Sequence, residues 1–479
     1  MMNRKHLILL IFLFSFGGCS LLPTIWPAYQ RPKTDLPAAW SAAPNQNLQI
    51  GERWWTLYGD TTLDALVTEA FEHNGDLALA AARVDEARAQ SRVANAQRYP
   101  TIDATAQIDR TRSSEVAPIP IPASALERDG NRVQLNLSYE LDFWGRLRGA
   151  NNAARAELLA TESARDTVRL ALGADVVRAY FTLRALDEQI AVTQRTLGLR
   201  EDNLRLQRVR STAGLTSDFQ LRQLEAEVAA AKAQVPALER SRTSEELALA
   251  VLLGRSPRAI VESSTNPTLA RRSDGSEPLA PLALLAPEGL PSDLLLRRPD
   301  IAQAEQRLIA ANARIAVARA AMFPRIALTG YLGSESRALG NLLSGPSLIW
   351  QLAFGLAQPI FQAGRLTAEI DAVKAREQQA LAQYQKAVQE AFREVQQALS
   401  AQTRTREIFE AETARAAALR DTLRLARIRY DNGLTSQLEV IDAERNLLTA
   451  DLNRTDALRA QRVAAADLTR ALGGGWSGK

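Results

Sequence analysis

The sequence predicts a mainly α-helical chain that also contributes strands to a membrane β-barrel, built as a duplicated unit of strand, strand and helical hairpin. Three observations carry this. First, Leu204, Arg205, Leu206, Arg208, Arg210, Gly214, Leu215, Thr216 and Ser217 recur as Leu423, Arg424, Leu425, Arg427, Arg429, Gly433, Leu434, Thr435 and Ser436, always 219 positions on. Second, each copy carries two segments of strict apolar and polar alternation. Third, each copy then enters a helical stretch too long for one globular domain. Self-similarity at a fixed offset marks a duplicated fold.

The chain opens on a basic stretch, Asn3, Arg4, Lys5 and His6, and an apolar run from Leu7 to Phe14, too short to span a bilayer. Residues 1–18 are therefore expected to be an export signal, and 19–62 an N-terminal segment headed by Cys19. Cys19 is the chain's only cysteine, so no disulfide is available. Phe16, Gly17, Gly18 and Cys19 resemble a bacterial lipobox, which implies lipidation of Cys19 and anchoring in lipid.

Copy one is placed at 63–254. Asp76 to Tyr99 lacks internal Gly and Pro and reads as a helix, with Asp76 as its expected cap and Pro100 as its stop. Ile102, Ala104, Ala106 and Ile108 then alternate with polar residues, predicting a strand over about 101–110. Val133, Leu135, Leu137, Tyr139, Leu141 and Phe143 predict a second over about 131–143. Copy two, at 293–473, repeats the pattern over about 325–334 and 347–358. It is five residues shorter between Pro324 and Gly364, which predicts an exposed loop there. Runs of about ten residues suit tilted membrane strands. Four strands cannot close a barrel, and an open edge in lipid leaves backbone groups unpaired, so several chains must share one.

From Arg146 to Thr212 there is no proline. Turns are expected at about 211–217 and 430–436, after which Leu221, Leu224, Val228, Ala231, Val235 and Leu238 recur in steps of three and four. That seam predicts a coiled hairpin, with Pro236 as a kink in its returning arm. A Pro-, Ser- and Gly-rich linker occupies 255–292 between the copies, and 474–479 is a short tail.

The copies differ just past the second turn. Glu439 and Asp442 lie one helical turn apart where copy one has Gln220 and Gln223. On pattern alone such carboxylates are solvated helix residues. Lys plus Arg number 58 against 54 for Asp plus Glu, interspersed along helices, so the basic pI indicates no nucleic-acid surface. The histidines are His6 and His73, which leaves no metal set, cofactor or catalytic constellation.

Tyr29, Arg31 and Pro32, Trp54 and Trp55 before Asp60 and Leu63, Asn74 with Asp76 and Leu77, Tyr99 with Pro100, and Leu296 through Ile301 together resemble the outer-membrane efflux protein family, in its lipoprotein branch. The resemblance implies a homotrimer in the outer membrane, with a twelve-stranded barrel continued by a long α-helical periplasmic tunnel and an equatorial belt from the linker. It implies an efflux duct that works with a periplasmic adaptor and an inner-membrane RND-type transporter. It implies that Leu438, Glu439 and Asp442 form the periplasmic gate. The turns Gly214, Leu215, Thr216, Ser217 and Gly433, Leu434, Thr435, Ser436 would then meet the adaptor, or be turn chemistry only. A type I protein secretion duct and a pore-free periplasmic coiled-coil adaptor are the competing readings.

Overall fold

The computed structural model describes residues 29–33, 35–37, 51, 53–116, 122–263, 292 and 294–474. The export signal, Cys19, most of the linker and the tail beyond residue 474 lie outside the described residues. In chain order the elements are α1 Thr61–His73, α2 Gly75–Ala96, β1 Thr101–Arg112, β2 Glu127–Glu140, α3 Arg146–Thr212, α4 Asp218–Leu252 and α5 Pro257–Ser263. There follow α6 Leu294–Arg297, α7 Pro299–Ala320, β3 Arg325–Ser336, β4 Leu348–Ala357, α8 Arg365–Asp431 and α9 Gln437–Ala471. Both outgoing hairpin helices, α3 and α8, have 67 residues, and both returning helices, α4 and α9, have 35. Among the described residues no helix is long and apolar enough to cross a membrane.

The chain divides into two compact units. The first combines residues 1–33, 84–161 and 304–384 and contains the sheet. The sheet is a four-stranded antiparallel meander in the order β1, β2, β3, β4, which leaves β1 and β4 as edges. Its register sets Ala104 beside Leu135, Leu135 beside Leu332 and Leu332 beside Trp350, all on one face. Leu135, Leu332, Trp350, Leu352 and Phe354 are exposed there. The opposite face carries Asp103, Asn136, Tyr331 and Gln351 in another row. An apolar face turned outward and a polar face turned inward is the pattern of a barrel wall in lipid.

The five-residue difference between copies falls only partly in the loop. The interval between β1 and β2 runs over 113–126 and that between β3 and β4 over 337–347, while β2 has 14 residues and β4 only 10. β2 also starts at Glu127 and ends at Glu140, earlier at both ends than the alternation suggests. Beyond Glu140, Glu140 pairs with Arg146 at 2.7 Å and Asp142 accepts from the backbone of Leu147 and Arg148, so the chain is already forming the start of α3. Trp144 stacks on Phe323 at 4.6 Å and donates Nε1 to the Pro324 carbonyl, tying this corner to its counterpart in copy two. In the same unit Arg31 grips Glu305 through two bonds of 2.7 and 2.5 Å, and Tyr29 adds a third of 3.0 Å. The Tyr29 hydroxyl is pushed well above its usual range by burial and by the Glu305 charge.

The second unit combines residues 34–83, 162–303 and 385–479. Its core packs Trp54 and Trp55 with Leu63, Val67, Val177, Phe181, Leu249 and Leu253. Asp60 caps α1 by accepting from the backbone of Thr62 and Leu63, and its other oxygen accepts from the buried Tyr180 hydroxyl. The cap of α2 is Asn74, not Asp76: Asn74 Oδ1 accepts from the backbone of both Asp76 and Leu77. Its Nδ2 meanwhile donates to the Leu252 carbonyl at the end of α4. Copy two places Arg298 there, which donates to the Ala471 carbonyl at 2.9 Å and pairs with Asp300 and Glu394. Each side chain thus satisfies a helix-end carbonyl that would otherwise lack a partner.

Candidate gate at the hairpin tips

Both hairpins turn by the same device. At the first tip Gly214 has φ +72°, and the backbone amides of Gly214 and Leu215 donate to Ser211 and Arg210. At the second, Gly433 has φ +72°, and Gly433 and Leu434 donate to Tyr430 and Arg429. This is the Schellman closure, in which a left-handed glycine lets the chain cap its own helix. The repeated Gly-Leu pair is the sequence imprint of that closure.

The next residues diverge. Ser217 and Gln220 form a capping box over the first turn of α4. Ser436 makes no side-chain cap bond, and Glu439 stands where Gln220 stands in copy one. Freed from capping, the Glu439 carboxylate lies 3.8 Å from Arg429 on the opposite arm. Asp442 is also paired: Arg445 Nη2 reaches it at 2.6 Å, and Arg445 Nη1 lies 4.0 Å from Glu227. Glu227 in turn meets the buried Arg200 at 3.1 Å. Asp442 is therefore part of a charge chain linking α9 to α4 and α3, while Glu439 pairs with α8, so neither is a bare anion.

Leu438 is an exposed apolar side chain, and its counterpart 219 positions earlier is Phe219, more exposed still at 72% against 45%. Leu215 and Leu434 are likewise exposed as a matched pair. Each tip thus presents two apolar side chains in the same places. In charge the tips differ: copy two carries Glu439 and Asp442 where copy one has Gln220 and Gln223, and copy one carries Asp218 where copy two has Gln437.

Behind the tips sits a polar relay that the sequence reading missed. Gln207 Nε2 donates to the Tyr430 hydroxyl at 3.1 Å, and that hydroxyl donates to Gln437 Oε1 at 2.9 Å. Gln437 Nε2 reaches Asn203 at 3.4 Å, and Thr216 donates to Gln207 at 3.0 Å. Gln207 and Gln437 are buried. The relay joins the first hairpin to the second, above an apolar contact of Leu204, Leu224 and Ile441. Thr435, the counterpart of Thr216, has a buried hydroxyl without a partner, because Ala426 replaces Gln207 in copy two. A signal was available: Ser211, Asp218 and Ala226 stand in copy one where copy two has Tyr430, Gln437 and Arg445.

Each hairpin is also braced by one repeated ion pair, Arg208 with Glu225 at 3.0 Å and Arg427 with Glu444 at 2.7 Å. Arg208, helped by Arg222, holds the Glu225 carboxyl below its usual range. Among the described residues no group of three or more His, Cys, Asp or Glu side chains is placed to hold a metal ion.

Comparison with known proteins extends this picture. The family model described as "Outer membrane efflux protein" matches residues 66–255 and 290–474. The chain is 36% identical over 476 residues, 97% of both chains, to the solvent efflux pump outer membrane protein SrpC of Pseudomonas putida. It is 33% identical over 464 residues, 96% of both chains, to the cation efflux system protein CusC of Escherichia coli. The crystal structure of the Campylobacter jejuni CmeC outer membrane channel superposes with a TM-score of 0.86 at 25% identity, covering 94% of this chain and 95% of that one.

Proposed function

The chain belongs to the outer membrane efflux protein family and is an outer-membrane efflux channel, and from that premise we propose that three copies close one twelve-stranded barrel and gate it at their hairpin tips. The single observation that carries the shared barrel is the sheet itself, four strands with an exposed apolar face and two free edges. In lipid those edges must be paired, and copies of the same chain supply the partners. Cys19, once lipidated, would hold the N-terminal segment to the membrane.

The gate comprises Glu439 and Asp442, with Leu438 beside them, and its latch is the relay through Gln207, Tyr430 and Gln437. Exposed ion pairs such as Arg429 with Glu439 contribute roughly 0–1 kcal/mol, and a hydrogen bond that water can replace contributes about 1 kcal/mol. The shut tips are therefore held by only a few kcal/mol, a difference that a partner binding the open state better can supply. That partner is the periplasmic adaptor, meeting Gly214, Leu215, Thr216 and Ser217 on one tip and Gly433, Leu434, Thr435 and Ser436 on the other. Crosslinker placed at Thr216 or Thr435 is expected to capture the adaptor in cells; repeated capture of nothing would reduce these residues to turn chemistry.

The inner-membrane partner is an RND-type transporter. Relatives of near-equal identity are named for solvents and for cations, which supports a duct whose cargo is chosen mainly by that transporter. The gate assignment is tested in a planar bilayer. Asp442→Ala removes a charge near the axis and takes from Arg445 the nearer of its two carboxylate partners, so single-channel conductance is expected to rise or cation preference to fall. Unchanged values of both would remove Asp442 from the gate.

A further inference from the structure

We propose that Asp103 forms a second selectivity element, inside the barrel and separate from the hairpin tips, that favours cationic over anionic cargo. The proposal rests on the shared-barrel reading. On the polar face of the sheet the pairing register runs from Asp103 through Asn136 and Tyr331 to Gln351. Three copies related by a three-fold axis would bring their Asp103 residues to one level, while strand tilt carries the rest of the row obliquely along the wall.

Charge counting singles out Asp103. The neighbouring charges on that face cancel in pairs, Arg132 with Glu335 at 2.7 Å and Glu140 with Arg146 at 2.7 Å. Asp103 makes no hydrogen bond or ion pair among the described residues and is exposed. Asp109 on β1 and Arg325 on β3 stand six residues from that row in opposite directions, about 20 Å away at 3.3 Å per residue. That is more than twice the Debye length of about 8 Å at physiological ionic strength. Asp103, near the start of β1, is thus uncompensated on its stretch of the wall.

The ring is narrow enough for this to matter. Twelve strands about 4.8 Å apart, tilted about 40°, close at a backbone radius of about 12 Å. Side chains reaching inward bring three carboxylates to within about one Debye length of the axis. Cations are then concentrated at this level and anions depleted, as with other carboxylate rings in channels. The register partners Asn136, Tyr331 and Gln351 are neutral hydrogen-bonding groups and do not offset the charge.

The test uses full-length protein in planar bilayers under a KCl gradient, with Asp442→Ala as background so that the tip does not mask the barrel. Asp103→Asn is expected to lower the cation-to-anion permeability ratio roughly two-fold, and Asp103→Lys to invert the preference, both effects shrinking in 1 M salt. An unchanged ratio in both variants overturns the proposal. In parallel, Asp103→Cys and Ala104→Cys are exposed to a charged, water-soluble thiol reagent during recording. Current altered only through position 103 upholds the barrel wall, so that an unmoved ratio then refutes the ring alone. Equal reaction at both positions, or at neither, would overturn the shared-barrel reading and the ring with it.

Discussion

Leu135→Arg is expected to abolish assembly in the outer membrane. Leu135 lies in β2 between Ala104 and Leu332 on the exposed apolar face, with Trp350 one strand further on. An arginine near the middle of the bilayer costs about 2–4 kcal/mol on a barrel wall. Three copies in one barrel multiply that to roughly 6–12 kcal/mol, comparable to the whole stability of a typical domain. Ser138→Arg, three residues on and on the polar face, adds the same charge toward water and is expected to assemble. The check is the yield of protein in the outer-membrane fraction. Equal yields would mean that the apolar face does not meet lipid.

Gly254→Ala is expected to be the most damaging small substitution in the second unit. Gly254 has φ +68°, and a Cβ there would lie 2.0 Å from the His73 carbonyl oxygen, a contact with backbone that cannot swing aside. The same close approach lets Asn74 cap α2 and bond the end of α4 at once. The left-handed backbone alone costs alanine roughly 1–2 kcal/mol. The clash forces the two segments apart and exposes the Asn74 and Leu252 groups, so a total above about 4 kcal/mol is expected. Gly473, with φ +89° and a Cβ 2.9 Å from the Arg297 carbonyl, should be affected next. Gly214 and Gly433 share the left-handed backbone but have open space around the missing Cβ, so alanine there should cost only the backbone term. Thermal unfolding in detergent ranks the four variants. A Gly214 variant as damaged as Gly254 would show that the corner packing is not what matters.

Much of this was legible because the chain is its own control. The 219-residue offset identified both tips and both hairpin ends, since a Schellman closure leaves a fixed glycine in the sequence. The strands were legible where they face lipid, because only there does an apolar residue recur at every second place. Glu127 to Gly130 belong to β2 yet carry no such signal; a strand that continues beyond the apolar band is polar on both faces. The cap at Asn74 was missed because Asp76 and Asn74 are both good caps, and the choice was made by the Leu252 carbonyl from a distant segment.

At the proposed gate, the carboxylates were legible as a break between copies, but their neutralisation was not. The partner of Asp442, Arg445, lies three residues on along the same helix, among charges that pattern alone reads as solvated. The relay was hidden for a different reason. Gln207 and Gln437 are typical of solvated helix faces, and only the packing of one hairpin against the other buries them.

The central claim is that the free edges of one sheet are paired by other copies of the same chain. With Cys19 as the only native thiol, one cysteine introduced at Ala104, Thr105 or Ala106 in β1 and another at Gln351, Leu352 or Ala353 in β4 report that pairing directly. Oxidation in intact outer membranes is expected to give, for at least one combination, a covalent species three times the mass of the chain, reversed by reductant. Monomer alone from all nine combinations, or a closed pair within one chain, would contradict it.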